Sequence, residues 1–167
     1  VYKRQTGINA EAYKAVAYDG TTYVIVGDKI NASGNPSILT SQNTNTWVNR
    51  SGNNGVSLGS GLDLLDIIYN DDYDAFYAVG EGGLIVKSTD SGANWTKLES
   101  GTTSNIRSIS WHEGVMVAGA DRAEVLLSDD GGITWETNTI TNTVTTDRNQ
   151  DAADLLLKNK KLLAAQG

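Results

Sequence analysis

Through roughly the first 140 residues, short apolar runs alternate with turns rich in Gly, Asn and Asp, the pattern of successive β-strands. Ala12–Tyr18 alternates loosely and ends on Asp19-Gly20, a hairpin signal. Thr21–Val26 is rich in β-branched and aromatic residues and stops at Gly27. Asp28–Pro36 reads as a polar loop holding the single proline, Ser37–Thr40 as a third strand, and Thr46–Asn49, around Trp47, as a fourth. A Gly/Ser/Asn-rich connector, Arg50–Gly61, leads to a second unit: Leu62–Tyr69, the turn Asn70–Asp74, Ala75–Val79, the turn Glu81-Gly82-Gly83, Leu84–Lys87 and Asn94–Leu98. The third unit is Asn105–Trp111, the turn His112–Gly114, Val115–Ala118, Glu124–Leu127 and a strand through about Thr139; the Thr-rich run to Thr146 extends that strand or becomes a loop.

One turn recurs between the third and fourth strands. Ser88-Thr89-Asp90-Ser91-Gly92-Ala93-Asn94-Trp95 returns as Ser128-Asp129-Asp130-Gly131-Gly132-Ile133-Thr134-Trp135, both Ser-x-Asp-x-Gly-x-x-Trp, with the tryptophans 40 residues apart. A repeated turn and Trp at that period is the signature of a β-architecture built blade by blade. Each residue type has a reason. Asp accepts bonds from backbone N–H groups just ahead of it, Gly permits φ > 0, and Ser adds a second local bond. Trp opens the next strand and offers a large area to bury where units meet, so Trp95 and Trp135 are expected to anchor the core equally. Thr40–Trp47 aligns as a decayed copy of the same length, keeping Trp47 but with Thr, Gln and Thr where the others have Ser, Asp and Gly.

The units therefore run at about 11–49, 62–98 and 105–139, inside one domain covering 6–167. A further partial unit is expected at 151–167. There Asp154–Lys158, Asn159-Lys160 and Lys161–Ala165 lie over Ile109–Gly119 as strand, turn and strand. The rival is a C-terminal helix, favoured by Leu and Ala and capped by Asp154. Val1–Gln5 resembles the translated end of a sequencing adapter, which would put the natural start elsewhere and the source in environmental DNA.

Ser88, Asp90, Gly92, Trp95 and Ser128, Asp130, Gly132, Trp135 resemble the Asp-box, or BNR repeat, of the sialidase-like β-propellers. The resemblance implies an all-β partial propeller of four-stranded antiparallel blades, about three blades and the start of a fourth. Asp-box propellers occur in sialidases, xyloglucan-type glycoside hydrolases, photosystem II stability/assembly-factor-like proteins, sorting-receptor ectodomains, and phage and bacterial surface proteins. The box lies away from the ligand face in those families, so the resemblance makes Asp90 and Asp130 structural. It also implies that the remaining blades of a closed ring are partners of this segment, and favours an extracytoplasmic or virion-associated setting.

A net charge of −7 argues against nucleic acid and anionic membranes as partners, and no run approaches the length of a membrane helix. Without cysteine there are no disulfides or thiolate metal sites. Asp71, Asp72 and Asp74 crowd one turn but lack a calcium-loop spacing, and read as a solvated hairpin. Asp63 and Asp66, on the innermost strand of the second unit, are the carboxylates best placed to face the centre, where a glycosidase would need a pair. The arginines Arg50, Arg107, Arg122 and Arg148 lack the Arg-Ile-Pro context of sialidases. His112 is the sole histidine, with no Gly-x-Ser-x-Gly elbow to serve, and reads as a turn residue. Gly80–Gly83 lacks a third glycine for a dinucleotide loop. No catalytic residue, metal or cofactor is assigned. The expected function is a non-catalytic scaffold presenting loops to a protein or carbohydrate partner. The alternatives are a piece of a glycoside hydrolase with most catalytic residues elsewhere, and a structural repeat of a virion or surface protein.

Overall fold

A four-stranded sheet that is apolar on both faces has to be covered twice, and β6 shows how the chain meets this requirement. The computed structural model describes residues 12–29, 34–52, 58 and 61–141. It contains three four-stranded antiparallel sheets, each an up-and-down meander in chain order. Blade one is β1 (Tyr13–Tyr18), β2 (Tyr23–Lys29), β3 (Pro36–Ser41) and β4 (Val48–Asn49). Blade two is β5 (Leu64–Asn70), β6 (Ala75–Gly80), β7 (Ile85–Ser88) and β8 (Thr96–Leu98). Blade three is β9 (Ile106–His112), β10 (Val115–Ala120), β11 (Glu124–Ser128) and β12 (Glu136–Thr139). All of β6 is buried. Phe76 and Ala78 enter one core with Val24, Val26 and Ile38 of blade one; Ala75, Tyr77 and Val79 enter a second with Ile106, Ile109 and Met116 of blade three. The period of two along one strand thus serves two interfaces. The innermost strands β1, β5 and β9 lie side by side.

The strands follow the pattern of the sequence, with shifted ends. The expected loop from Asp28 to Pro36 is shorter, because β2 runs on to Lys29 through an irregular register and Pro36 opens β3 opposite it. The first residue of a strand is a position where a missing N–H costs no ladder bond. Asn70 closes β5 rather than opening the turn; it is buried, and its Oδ1 accepts the N–H of Asp72. The fourth strand of blade one is only Val48–Asn49, leaving Thr46 and Trp47 outside it. The partial unit expected at 151–167 lies outside the described residues, as does the Thr-rich run beyond Thr141.

The Ser-x-Asp turns are built as their residues suggest. Ser88 Oγ donates to Asp90 Oδ1 at 2.9 Å and accepts from Gly92 N at 3.0 Å; Asp90 accepts from Asn94 N at 2.8 Å; Trp95 Nε1 donates to the Gly92 carbonyl at 3.0 Å. Ser128, Asp130, Gly132 and Thr134 repeat the first three bonds. Two successive residues in each turn have positive φ, Ser91 (54°) with Gly92 (78°) and Gly131 (74°) with Gly132 (81°). Each turn packs on the blade before it. A side chain at Gly92 would strike Thr40 and Val24 of blade one at 2.9 Å. The Gly131 carbonyl accepts from Tyr77 Oη at 2.7 Å and Lys87 Nζ at 3.2 Å of blade two.

The first turn corrects the alignment by counting. Its Ser and Asp positions are Ser41 and Asn43, not Thr40 and Gln42. Ser41 Oγ donates to Asn43 Oδ1 at 3.4 Å and accepts from Thr44 N at 2.9 Å; Asn43 Oδ1 accepts from Thr46 N at 2.9 Å; Trp47 Nε1 donates to the Thr44 carbonyl at 3.2 Å. Only one residue here, Thr44 at φ 61°, has positive φ. The turn is one residue shorter than its sisters and keeps their bonding, with Asn standing in for Asp.

The two tryptophans are not equivalent. Trp95 is 4% exposed, in the core between blades one and two. Trp135 is half-buried at the edge of the other core, and no partner for its buried Nε1 is recorded among the described residues. Trp95→Ala is expected to cost about 3–5 kcal/mol and Trp135→Ala about half as much in denaturant unfolding. Equal losses would mean that burial does not set the difference. The Thr134 hydroxyl and then its N–H hold Asp130 at a pKa of about 2. A carboxylate depressed in this way stabilises the fold fully above its unfolded value, near 3.9, and loses that contribution as pH falls toward 2. The stability gap between wild type and Asp130→Ala should therefore shrink from pH 4 to pH 2, read by thermal melts; a gap independent of pH would contradict the assignment.

Candidate functional site

The sheets divide the molecule into two ends. The hairpins between first and second strands and the Ser-x-Asp turns gather at one. At the other lie the turns Glu81–Gly83 and Asp121–Ala123 from second to third strand in blades two and three, the residues that lead into β5 and β9, and the ion pairs described below.

This loop end repeats a latch. In blade two, Asp63 immediately precedes β5; in blade three, Asn105 immediately precedes β9. Each takes a backbone N–H from the preceding blade: Lys29 N donates to Asp63 Oδ1 at 2.9 Å, and Gly82 N donates to Asn105 Oδ1 at 2.9 Å. An acidic side chain of the same blade steadies each acceptor. Asp63 N donates to Glu81 Oε2 at 3.2 Å, and Asn105 Nδ2 donates to Asp121 Oδ2 at 3.0 Å. Ion pairs complete the belt: Lys14–Asp28 at 3.1 Å, Lys29–Asp63 at 3.0 Å and Arg107–Asp121 at 2.8 Å. Burial opposes charge on Asp63, but the N–H and then the ammonium of Lys29 outweigh it and hold its carboxyl below the usual value. Asp121 is likewise held low by the Arg107 guanidinium.

Asp66 makes a second link. Its Oδ1 accepts from Ile67 N at 2.9 Å and its Oδ2 from Ile109 N of blade three at 2.9 Å. Asp63 therefore ties blade one to blade two, and Asp66 ties blade two to blade three. The structure gives both central candidates bonding partners from neighbouring strands. A glycosidase acid has its pKa raised, the opposite of the shift at Asp63.

The remaining candidates are spread apart. Asp71, Asp72 and Asp74 are exposed at the hairpin end, where Asp74 Oδ1 accepts from Tyr69 Oη at 2.7 Å. His112 and Glu113 are exposed on another hairpin, 3.7 Å apart. Glu81–Gly83 forms a single 3-10 turn and leads into a strand. Between the first two Ser-x-Asp turns lies a polar hollow of about 390 Å³ whose lining includes Asn43, Arg50, Asp90 and Ser91. Arg50 Nε there donates to Thr40 Oγ1 at 3.2 Å. Among the described residues no group of three or more His, Asp or Glu is placed to hold a metal, and no helix is long and apolar enough to cross a membrane.

Sequence reasoning missed Lys29, Asn105 and Arg122. An acidic residue follows Gly27, Gly80 and Ala120 alike, and an Asx precedes the first strand of blades two and three; aligning those positions rather than the turns would have exposed the latch. Arg122 stands out by its backbone. Blade two has Gly82 (φ 61°) and Gly83 (φ 75°) in this loop, whereas blade three holds the same left-handed geometry with Arg122 (62°) and Ala123 (57°). Arg122 is exposed.

The comparisons agree with this architecture. No curated protein matches the chain. Among solved structures, YCF48 bound to a D1 peptide is similar at 16% identity and a TM-score of 0.63, over 80% of this chain and 41% of that one. YCF48 from Cyanidioschyzon merolae follows at 15% identity and 0.62, over 85% and 46%, and the endosialidase of phage phi92 at 11% identity and 0.58, over 79% and 26%. At these identities the likeness concerns the fold, and the chain spans less than half the length of each. The model of the DUF6242 beta propeller domain matches residues 2–155, so the chain belongs to that beta propeller family.

Proposed function

We propose that this propeller segment is a non-catalytic recognition scaffold whose loop end receives a peptide segment of a protein partner. The observation that carries the reading is the left-handed pair Arg122-Ala123, where blade two uses glycines. A side chain in that region costs about 1 kcal/mol per residue, and such strain collects at binding and switch regions. Here it projects an arginine from a loop whose base is fixed by the Arg107–Asp121 pair.

Three further points support binding over chemistry. The latches tie the described turns of this end to the neighbouring blade, which suits recognition without reorganisation. Asp63 and Asp66, the carboxylates that a glycosidase reading would use, are engaged between blades. One similar protein was solved with a peptide bound. In the same reading the Ser-x-Asp turns are Asp-boxes, with Ser88, Asp90, Gly92, Trp95 and their counterparts Ser128, Asp130, Gly132, Trp135 serving the fold, and Trp47 closing a shortened box in blade one.

Panning a random displayed-peptide library on the chain, with a glycan array in parallel, tests the proposal. Arg122→Gly is expected to melt no lower than wild type, since it relieves the strain, while weakening selected peptides tenfold or more. Peptides that bind the variant as tightly as wild type, or capture of glycans with no peptide enriched, would overturn it.

A further inference from the structure

The polar hollow between blades one and two occupies space that side chains fill between blades two and three. Strand register makes the two interfaces comparable residue by residue. Val24 pairs with Thr40 as Tyr77 pairs with Lys87, and Thr40 pairs with Val48 as Lys87 pairs with Thr96. Two residues further along, Arg50 falls on the position of Leu98. Around the turn Ser128–Trp135 these positions are filled. A side chain at Gly132 would begin 3.0 Å from Tyr77 and 3.2 Å from Leu98, and one at Gly131 would strike Tyr73. The Lys87 ammonium lies over the rings of Tyr73 and Tyr77, 5.6 and 5.1 Å from their centroids. Around the turn Ser88–Trp95, Val24 and Thr40 replace the larger Tyr77 and Lys87. Tyr73 has no counterpart there, because the hairpin from Tyr18 to Tyr23 encloses only residues 19–22, whereas that from Tyr69 to Phe76 encloses residues 70–75. The hollow of about 390 Å³ is what these changes leave.

We propose that this hollow binds a neutral sugar, one hexose unit at a time. Cavities that stay empty are apolar. This one is lined by Arg50, Asp90, the amides of Gln42 and Asn43, and the hydroxyls of Thr46 and Ser91. Its two charged groups are held in place. Arg50 is half-buried and its Nε donates to Thr40 Oγ1 at 3.2 Å; Asp90 accepts from Asn94 N at 2.8 Å and Asn94 Nδ2 at 2.6 Å. One guanidinium and one carboxylate leave the lining without net charge, so an anion would meet Asp90 and a cation would meet Arg50. A guanidinium only donates, a carboxylate only accepts, and amides and hydroxyls do both. A ring of hydroxyls, each a donor and an acceptor, matches that mixture. Val48, also in the lining and 48% exposed, offers hydrocarbon to the C–H face of the ring. The volume lies within the range of small-molecule sites, about 300–1,000 Å³. The hollow sits among the Ser-x-Asp turns, at the opposite end from Arg122, and is independent of the peptide reading.

Amide NMR of the full chain, titrated separately with D-glucose, D-galactose and D-mannose, tests the site; acetate and glycine serve as the anionic and zwitterionic probes. At least one sugar is expected to give saturable shifts, in the millimolar range, at the amides of Asn43 and Ser91 and at the Arg50 Nε–H, with the Gly82 and Arg122 amides unmoved. Arg50→Leu installs the residue type of Leu98 and should melt no lower than wild type while weakening the sugar at least tenfold. Thr40→Lys, which installs the counterpart of Lys87, should do the same by filling the space with Arg50 still present. Absence of saturable shifts with every sugar, shifts centred at the loop end, sugar binding that survives Arg50→Leu or Thr40→Lys, or tighter binding of acetate or glycine than of any sugar would each overturn the proposal.

Discussion

Both faces of the middle blade are apolar, and neither can be left in water. Phe76 and Ala78 on one side of β6 and Tyr77 and Val79 on the other require a sheet on each flank, and blades one and three supply them. Full burial of a side chain the size of Phe or Leu is worth about 1.5–3 kcal/mol, so these interfaces dominate any single hydrogen bond in the molecule. The rest follows from keeping three sheets in register while they pack. The Ser-x-Asp turns set two residues at positive φ so that the chain can lie against the previous blade, and at the opposite end an Asx before β5 and another before β9 grip the previous blade's backbone. Hydrophobic contact gives the stack its stability; the polar links at its two ends fix its geometry.

That division of labour explains why acidic residues in this chain read poorly as chemistry. Asp90 and Asp130 hold turns, Asp63 and Asp66 hold neighbouring blades, and Asp28 and Asp121 hold cations on their own sheets. Each is matched by an N–H, a hydroxyl or a cation close by. What the scaffold leaves exposed is the loop end, and there the departure from repeat symmetry at Arg122-Ala123 stands out because the corresponding loop of blade two solves the same backbone problem with glycine.

The sheet architecture was legible because β-branched and aromatic runs, Gly-centred turns and a fixed Trp spacing all point the same way. Strand ends were less so: Lys29 and Asn70 extend strands through an irregular register and a side-chain-capped turn, neither of which composition reveals. The first turn was misaligned because counting residues assumes equal length, while Ser41 and Asn43 keep the bonding of a turn that lost one left-handed position. Trp95 and Trp135 looked alike in sequence; how much of each is covered depends on the blades around them. The latch escaped notice because Asp63 and Asn105 differ in charge, and only the backbone N–H they share makes them equivalent.

The central claim is that stability resides in the blade interfaces. Native-state hydrogen exchange across a denaturant series measures it directly. The account predicts that the amides of β6 are the slowest to exchange, opening only with global unfolding, and that β2 and β10 open earlier. Blades that open independently, with β6 exchanging no more slowly than β2 or β10, would contradict it.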